Sequence, residues 1–443
     1  MASSRSRDRR SSLEVAIVGG GIIGVMTALG LLHRGIKVVV YERASSWREI
    51  GAGFAFTAVA RECMQRLDPG ILEILSRISQ KTDSEASTSY WNGFHPRTKQ
   101  DAEDESQSLL FQMPGNKLAF WGCVRSHFLL EMAALLPDGV ARFGKRLISY
   151  DDDNENDKVV LHFGDGSTAE AHAVIGCDGI HSTTRKVLLG ANHPATCTSY
   201  THTVAYRTMV PINAGIAALG KSKAMSACMH CGPNVNIMSY PVMNGTLLNV
   251  AVFAHEPLEF PDTETMTTPA TRGELEQVMI GWGPHMVDIA KLFPENMVKW
   301  GIFDMYQDPA PTYARGRVCI AGDAAHASSP FQGVGACIGV EDALVLCHVL
   351  DAVQARNDGE LSSQQGQTAA AISQALQAYS QERIERSQWV VRSSREIGRM
   401  YQWRYGPTGR DAKRSNLKLE RASQKIWDYD VAGMITRVTT AAV

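Results

Sequence analysis

The chain has 443 residues, of which 44% are hydrophobic and 20% charged, so the composition excludes a largely disordered protein and the length predicts more than one domain. Lys and Arg number 44 against 46 Asp and Glu, which leaves no basic field to attract nucleic acid or an anionic membrane. Nine cysteines without framework spacing favour reduced thiols and a cytoplasmic location. We expect small-molecule partners, no nucleic acid and no integral membrane contact.

The N-terminal half begins with a predicted βαβ unit. Residues 1–12 are rich in Arg and Ser, and we interpret them as a flexible, solvated tail. An apolar β-branched run at 13–18, a glycine turn, a stretch of helical length at 22–33 and a second apolar run at 37–42 then predict strand, helix and strand. The polar segment 81–108 interrupts this pattern as an insertion.

The remaining pattern alternates between sheet and helix. Residues 141–172 predict a small antiparallel meander, and an apolar strand follows at 173–176. Residues 197–260 alternate like antiparallel strands, whereas 271–292 and most of the chain from 336 onward are helical. The pattern therefore predicts an α/β domain that is interrupted by a mostly β domain and closed by helices.

A glycine motif lies between the first predicted strand and helix. Gly19, Gly21 and Gly24 have GxGxxG spacing, and Glu42 ends the next strand. The glycines permit a tight turn and close approach of a pyrophosphate to the helix N-terminus, and Glu42 can accept hydrogen bonds from ribose hydroxyls. A carboxylate there disfavours a 2′-phosphate, so the motif indicates FAD or NAD; the alternative is a glycine turn that binds nothing.

Two later segments carry a family resemblance. The segment CDGIHSTTR, 177–185, and the segment AGDAAHA, 321–327, with the glycines and alanines up to residue 343, occur in the order seen in single-component flavoprotein aromatic hydroxylases. The chain resembles the salicylate-hydroxylase-like branch of this family. It is most similar to the fungal monooxygenases that dearomatise polyketide phenols on the way to tropolones, azaphilones and sorbicillinoids.

The resemblance implies a fold and domain boundaries. We expect a Rossmann-like, GxGxxG FAD-binding domain with an inserted antiparallel β-sheet substrate domain and C-terminal helices. The expected FAD-binding domain is discontinuous and comprises 13–80, 109–190 and 313–365. The substrate domain comprises 81–108 and 191–312, and the C-terminal helical region is 366–443. Helices within 370–432 are candidates for a homodimer contact.

The resemblance also implies cofactors and site residues. FAD is expected as the bound cofactor, with NADPH or NADH as a transient co-substrate, because the sequence has no second GxGxxG. No metal is expected. The implied FAD-binding residues are Gly19, Gly21, Gly24, Glu42, Ala55, Arg125, Asp178, Asp323, Gly335 and Ala336.

The implied reaction is hydroxylation of a phenolic polyketide of the resorcinol-aldehyde type. A flavin C4a-hydroperoxide delivers oxygen ortho to a hydroxyl, with loss of aromaticity. Arg207 and Tyr240 match the residues that stabilise the phenolate in the dearomatising branch. Without the resemblance, Arg207 reads as a strand residue in an ion pair, Tyr240 as a core tyrosine and Asp323 as a helix N-cap.

Several alternatives stay open at this level. The product could regain aromaticity, as in a salicylate-type hydroxylase; the same fold could host an oxidase or dehydrogenase, or a non-catalytic flavoprotein. The chain also departs from its branch at Phe331 and Gln332, where close relatives carry two histidines, and this bears on substrate shape and regiochemistry. Cys228 and Cys231 have CxxC spacing without a second pair, which predicts neighbouring thiols on one strand face or in a turn rather than a zinc site.

Overall fold

The structure is a computed structural model, and it describes residues 13–47, 53–81, 88–94, 109–113, 120–153, 156–243, 245–359 and 365–442. The predicted tail and most of the predicted insertion lie outside the described residues. The described residues form four β-sheets with helices packed between and around them. None of the helices in this part of the chain is both long and apolar enough to cross a membrane.

The first sheet contains the predicted βαβ unit, which is confirmed. Glu14–Val18 pairs in parallel with Lys37–Tyr41, and the helix Ile22–His33 connects them. Parallel strands that are covered on both faces need continuous apolar runs, and both strands supply one. The six strands, in spatial order, are Ala314–Arg315, Val318–Ile320, Ala173–Gly176, Glu14–Val18, Lys37–Tyr41 and Ala141–Arg142.

A second, eight-stranded sheet is antiparallel except where Cys228–Cys231 runs parallel to Thr88–Asn92. One face of this sheet packs on short helices around a core that includes Tyr206 and Val252. Its other face borders the cavity described below. The strands, in spatial order, are Thr267–Thr271, Asn296–Asp304, Ser199–Pro211, Leu247–His255, Val235–Val242, Cys228–Cys231, Thr88–Asn92 and Leu109–Met113.

Two three-stranded sheets complete the β-structure. The predicted meander forms one of them, with antiparallel pairing throughout. In the other, two strands from residues 54–81 pair with the strand just before residue 125. Their strands are Leu147–Asp151, Val159–Phe163 and Thr168–Ala171 in the first, and Phe54–Phe56, Trp121–Cys123 and Gln80–Lys81 in the second.

The helices follow local capping signals. Thr57 accepts a hydrogen bond from the backbone of Ala60, and Asp411 accepts one from Arg414, so each caps the helix that follows it. In chain order the helices are Ile22–His33, Ala58–Leu67, Pro69–Ile78, Arg125–Ala133, Thr183–Leu189, Ile212–Leu219, Lys221–Ala224, Arg272–Val278, Pro284–Ala290, Asp323–His326, Gly335–Gly359, Gln365–Tyr401, Ala412–Trp427 and Val431–Ala442, with short 3₁₀ turns at Pro194–Thr196 and Pro330–Gln332.

The 37-residue helix Gln365–Tyr401 ties the two large sheets together. Its Arg395 makes two hydrogen bonds, of 2.8 and 2.5 Å, to the fully buried carboxylate of Asp304 in the eight-stranded sheet. Its Arg383 bonds Asp342 on the helix that follows the six-stranded sheet. A buried ion pair is costly to break, so these contacts fix the helix against both sheets.

Two local expectations were wrong. The segment 197–260 was predicted as strands only, yet it includes the helices Ile212–Leu219 and Lys221–Ala224. Gly215 lets the first of these helices pack closely on the sheet, since a Cβ there would lie 2.6 Å from the Leu248 side chain. Leu109–Met113 was assigned to the FAD-binding domain, but it pairs with Thr88–Asn92 in the eight-stranded sheet. The domain boundaries themselves stay a prediction.

Candidate functional site

A continuous cavity of about 2100 Å³ extends from the glycine turn to the eight-stranded sheet. A pocket for one small ligand typically has roughly 300–1,000 Å³, so this cavity has room for a cofactor and a substrate together. All but one of the predicted site residues line it. They are Gly19, Gly21, Glu42, Ala55, Arg125, Asp178, Arg207, Tyr240, Asp323, Gly335 and Ala336, whereas Gly24 lies behind the cavity wall.

The glycine turn depends on two of its glycines for steric reasons. Gly19 has a φ of +103°, and a Cβ there would lie 2.4 Å from the carbonyl oxygen of Cys177. A Cβ on Gly24 would lie 2.0 Å from the carbonyl oxygen of Gly19. Gly24 therefore lets the helix pack against the turn, which is the role that the motif predicts for its third glycine.

The turn presents a helix N-terminus to the cavity. Gly21 is the N-cap of Ile22–His33, and no side chain in the described part of the chain caps it. The first backbone N–H groups of this helix therefore keep free hydrogen-bonding capacity beside the cavity. Together with the positive end of the helix dipole, they suit a phosphate group.

Glu42 stands beside this N-terminus in a fixed orientation. Its carboxylate accepts hydrogen bonds of 2.7 Å from the backbone N–H groups of Gly20 and Ala44. An ionised carboxylate can accept about four hydrogen bonds, so capacity remains for ligand hydroxyls. The placement agrees with the ribose contact expected from the sequence, although that contact itself stays a prediction.

The segment around Asp178 has a structural role that the sequence did not reveal. The Asp178 carboxylate accepts hydrogen bonds from the Ser182 hydroxyl and from the backbone N–H of Thr184, and so holds the start of the next helix. Arg185 is fully buried and donates to the carbonyl oxygens of Ile180, Thr196 and Ala324. It thereby joins this segment to the one around Asp323 rather than facing the cavity.

Asp323 is exposed at the start of the short helix Asp323–His326. This helix is supported from behind by Asp342, whose carboxylate accepts hydrogen bonds from the backbone N–H of Gly322 at 3.0 Å and from Arg383 Nε at 2.8 Å. His326 Nε2 contacts the same carboxylate. Burial alone would raise the pKa of Asp342, but the charges and hydrogen bonds of His326 and Arg383 lower it, so the carboxylate is ionised.

Two further segments border the cavity near Asp323. Gly335 and Ala336 begin the helix Gly335–Gly359, and a Cβ on Gly335 would lie 3.1 Å from Ser328 Oγ. Ala55 lies in Phe54–Phe56, and its carbonyl oxygen contacts Cys337 Sγ. Arg125 is the first residue of its helix and is half-buried at the cavity wall. The structure thus brings together residues that are far apart in sequence.

Arg207 and Tyr240 lie on the same face of the eight-stranded sheet. They sit on the two strands that flank Leu247–His255. Arg207 is opposite Ala251, and Tyr240 is opposite Asn249, two residues along the same strand. Residues two apart point to the same face, so both side chains face the cavity in adjacent rows.

The environment of Arg207 is unusual for a cation. Its Nε is buried and has no hydrogen-bond partner among the described residues, and its guanidinium carbon lies 5.9 Å from the centre of the Trp300 ring. Burial lowers the pKa of Arg207, and burial raises the pKa of Tyr240, although their mutual interaction opposes both shifts. The face therefore carries the desolvated guanidinium of Arg207 beside the neutral hydroxyl of Tyr240.

The loop before the helix Gly335–Gly359 closes the cavity opposite this face. The Phe331 ring packs 5.1 Å from the Phe253 ring and contacts the backbone at Gly398. Gln332 lines the cavity, and its Oε1 is buried without a partner among the described residues. This pair departs from its branch in sequence, but the sequence alone does not reveal the unsatisfied amide.

Both predicted placements of the CxxC thiols, on one strand face or in a turn, were wrong. Cys228–Cys231 is a β-strand, so its two thiols, three residues apart, point to opposite faces. Between them His230 is buried, and desolvation lowers its pKa to about 3, so its ring is neutral. No group of three or more metal-ligating side chains occurs in the described ranges.

The residues around the cavity fit an FAD. The turn has no side chain at Gly19, Gly20 and Gly21 to block a pyrophosphate, and the uncapped helix N-terminus supplies its donors. Glu42 supplies a fixed acceptor on one side, and Asp323 supplies an exposed carboxylate on the other. The cavity continues from there to the sheet, where a second ligand has room.

Comparison with known proteins agrees with this fit. A family model described as an FAD binding domain matches residues 12–394. An "FAD-dependent monooxygenase" of Aspergillus terreus (strain NIH 2624 / FGSC A1156) is 56% identical over 426 residues, 96% of each chain. Salicylate hydroxylase asL1 of Sarocladium schorii is 42% identical over 435 residues, covering 96% of this chain and 89% of that protein.

The fold comparison gives the same result. A solved structure described as "Salicylate hydroxylase substrate complex" has a TM-score of 0.82 and 28% identity, and the match covers 97% of this chain and 98% of that one. The chain therefore belongs to the FAD-binding-domain family and is an FAD-dependent monooxygenase with the salicylate hydroxylase fold.

Proposed function

We propose that this monooxygenase hydroxylates a phenolic polyketide of the resorcinol-aldehyde type, ortho to a hydroxyl and with dearomatisation, in fungal secondary metabolism. The observation that carries the proposal is the cavity face on which Arg207, desolvated and with an unpartnered Nε, lies one row from Tyr240. Arg207 is half-buried with a buried Nε, and no carboxylate among the described residues pairs with it, so the guanidinium suits an anionic oxygen of the substrate. A phenolate is such a group.

FAD would be held by the glycine turn, Glu42, Ala55, Arg125, Asp178, Asp323 and the helix start at Gly335 and Ala336. When bound, FAD supplies dioxygen activated as an electrophile. The phenol must therefore act as a carbon nucleophile, which it does after losing its hydroxyl proton. The protein's task is to favour the phenolate and to fix which ring carbon faces the cofactor.

Arg207 carries the first part of this task. Its guanidinium is charged at every physiological pH and presents donors in a planar fork. An opposite charge within about 4–6 Å lowers the pKa of an acid by roughly 1–3 units, so a phenol that binds at Arg207 ionises more readily. Desolvation of Arg207 strengthens this interaction, because less water competes for the donors.

Tyr240 carries the second part. Burial keeps its hydroxyl protonated, so it can donate a hydrogen bond to the phenolate oxygen. Two donors from different strands define the position of one oxygen and the plane of the ring. The ortho carbon then has a fixed position relative to the cofactor.

In the proposed reaction, one oxygen atom of O2 forms a bond to the ring carbon, and the other leaves as water. NAD(P)H supplies two electrons and one proton as hydride, and a second proton from solvent completes the water. Where that carbon already bears an alkyl group, it has no proton to lose, so the product stays a hydroxydienone. Where it bears hydrogen, the ring regains aromaticity, which is the salicylate-type alternative.

The outer part of the cavity supports a substrate larger than a bare ring. Met209, Met225 and Met243 line it and are 61%, 45% and 53% exposed. Methionine side chains adapt to apolar groups of varied shape. We propose that this part of the cavity receives the alkyl or acyl substituents of the polyketide. NAD(P)H visits without a Rossmann domain of its own, and the homodimer contact and the cytoplasmic location stay predictions.

The test is NADPH and NADH consumption by the purified yellow protein with a panel of C-methylated resorcinol aldehydes, followed by mass and NMR analysis of the product. We expect stimulated consumption and a product heavier by one oxygen atom, with an sp³ carbinol carbon and with label from ¹⁸O2. A rearomatised product supports the salicylate-type reaction, and a product without label supports an oxidase. Full hydroxylation by both Arg207→Ala and Tyr240→Phe contradicts the assigned roles.

A further inference from the structure

We infer that Gln332 is a specificity-determining residue that accepts a hydrogen bond from a second, un-ionised hydroxyl of the substrate. This inference rests on the proposed function and narrows its substrate class. It assigns the enzyme a phenol with two oxygens in different states: one anionic at Arg207, and one that still carries its proton at Gln332.

The first observation is the unsatisfied amide. Gln332 Oε1 is buried and has no hydrogen-bond partner among the described residues. A buried acceptor without a partner costs about 1–3 kcal/mol, so proteins pair such atoms with protein groups or with a ligand. Because Gln332 lines the cavity, a cavity ligand can reach it.

The second observation is the position of the loop. Phe331 anchors Pro330–Gln332 on the sheet through Phe253, whose ring centre is 5.1 Å from its own. Phe253 lies two residues from Ala251, which is the direct neighbour of Arg207 across the strands. The loop is thus packed on the strand that also carries the neighbour of Arg207, and Gln332 and Arg207 line the same cavity.

The third observation is the contrast in chemistry. Arg207 can only donate, whereas the Gln332 oxygen can only accept. Three other residues with orphan buried polar atoms line the cavity: Trp91, Ser329 and Trp427. The two tryptophan N–H groups are donors, and a serine hydroxyl can do both. Gln332 therefore supplies an acceptor that is obliged to find a donor.

The chain offers a matched control for this amide. Gln112 also lines the cavity, but its Nε2 donates to Ser89 Oγ at 3.0 Å. Replacing either glutamine with methionine keeps the length of the side chain and removes the amide. Only Gln332→Met is expected to change the response to a hydroxyl on the substrate.

The experiment compares a C-methylated resorcinol aldehyde with its two mono-O-methyl ethers. The ether that blocks the ionising hydroxyl is inert with every variant. For the other ether, wild-type kcat/KM is expected to fall about 10- to 100-fold relative to the free diol. Gln332→Met is expected to lower kcat/KM for the diol by a similar factor and to change the value for the ether about threefold or less. Gln112→Met should preserve the wild-type ratio of kcat/KM for the diol to kcat/KM for the ether.

Two binding measurements separate this reading from others. Substrate Kd is read from the perturbation of the flavin spectrum, and FAD Kd from flavin fluorescence. We expect Gln332→Met to raise the Kd of the diol and to leave the Kd of FAD unchanged. A loss of FAD affinity in Gln332→Met but not in Gln112→Met would mean that the amide faces the cofactor, which overturns the inference.

The inference is also overturned if Gln332→Met binds FAD normally and keeps the wild-type ratio of kcat/KM for the diol to kcat/KM for the ether. If Gln332→Met does not fold, Gln332→Asn keeps an amide but withdraws its oxygen, and the same fall in the ratio is expected. Failure of the proposed function has a different signature, because the wild-type enzyme then hydroxylates neither the diol nor its ethers. That outcome would remove both proposals.

Discussion

Replacing Asp342 with asparagine tests how the buried carboxylate holds the floor of the cofactor site. The carboxylate accepts from Gly322 N–H at 3.0 Å and Arg383 Nε at 2.8 Å, and it contacts His326; neither it nor Arg383 is exposed to solvent. Asparagine removes the negative charge and presents an NH2 group to partners that are themselves donors. Arg383 keeps its second ion pair, at 2.8 Å, with Glu341.

Removing one partner from a buried ion pair costs about 3–5 kcal/mol, and the remaining Glu341 contact places Asp342→Asn at about 3 kcal/mol. This is roughly a 150-fold change in the folding equilibrium, a large share of the stability of an ordinary domain. The assay is urea unfolding of the FAD-free protein, followed by circular dichroism and tryptophan fluorescence. Glu382→Gln is the control, because it weakens a more exposed ion pair, between Glu382 on the helix Gln365–Tyr401 and Arg437 on the helix Val431–Ala442, and should cost about 1 kcal/mol or less.

The effect depends on pH with a definite sign. The pKa of Asp342 is lowered in the folded protein, so its contribution is present above the unfolded value of about 3.9 and is lost as pH falls through the folded value. The difference between the wild type and Asp342→Asn should therefore be full at neutral pH and shrink in acid. A variant within 1 kcal/mol of the wild type at neutral pH would refute the reasoning.

The other predictions concern the cavity itself. Gly24→Ala places a Cβ 2.0 Å from the Gly19 carbonyl oxygen, so we expect FAD Kd to rise at least about 10-fold, whereas Gly273→Ala, on an exposed helix turn with 3.8 Å of clearance, should leave it unchanged. Arg207→Gln should move the acid limb of the kcat–pH profile for a phenol upward by roughly 1–3 pH units, because the bound phenol loses its cation. Tyr240→Phe should lower kcat about 10- to 100-fold without moving that limb, since burial raises the pKa of Tyr240 and the residue stays protonated over the neutral range. Equal shifts of the limb in the two variants would contradict the division of roles.

The parts of the fold that the sequence predicted are local. The helix Ile22–His33 and the strand Lys37–Tyr41 follow from short apolar runs, their periods and a glycine turn, all within about 30 residues. The strand Leu109–Met113 was misassigned because its partner, Thr88–Asn92, is separated from it by a polar segment. Pairing across such a segment depends on which sheet edge is open, and a local pattern carries no information about that.

The site divides in the same way. Alternation could place Arg207 and Tyr240 on strands, but only the resemblance connected them, because their shared face depends on the register of a third strand between them. Arg185 shows the opposite case. It ends one of the segments that carry the resemblance, yet its side chain is buried away from the cavity, since carbonyl oxygens of Ile180, Thr196 and Ala324 accept hydrogen bonds from its guanidinium.

Buried polar networks and unsatisfied atoms explain why one scaffold can keep its cofactor and change its substrate. Asp342 pairs with Arg383, and Asp304 pairs with Arg395; these two buried pairs hold the helix Gln365–Tyr401 against both sheets. A substitution there loses stability at once. Arg207 and Gln332 have buried atoms that no described residue satisfies, so a change there alters which ligand completes them rather than the fold. Gln332 therefore lies at a position where a different residue leaves the fold intact but changes which substrate hydroxyl the cavity can bind.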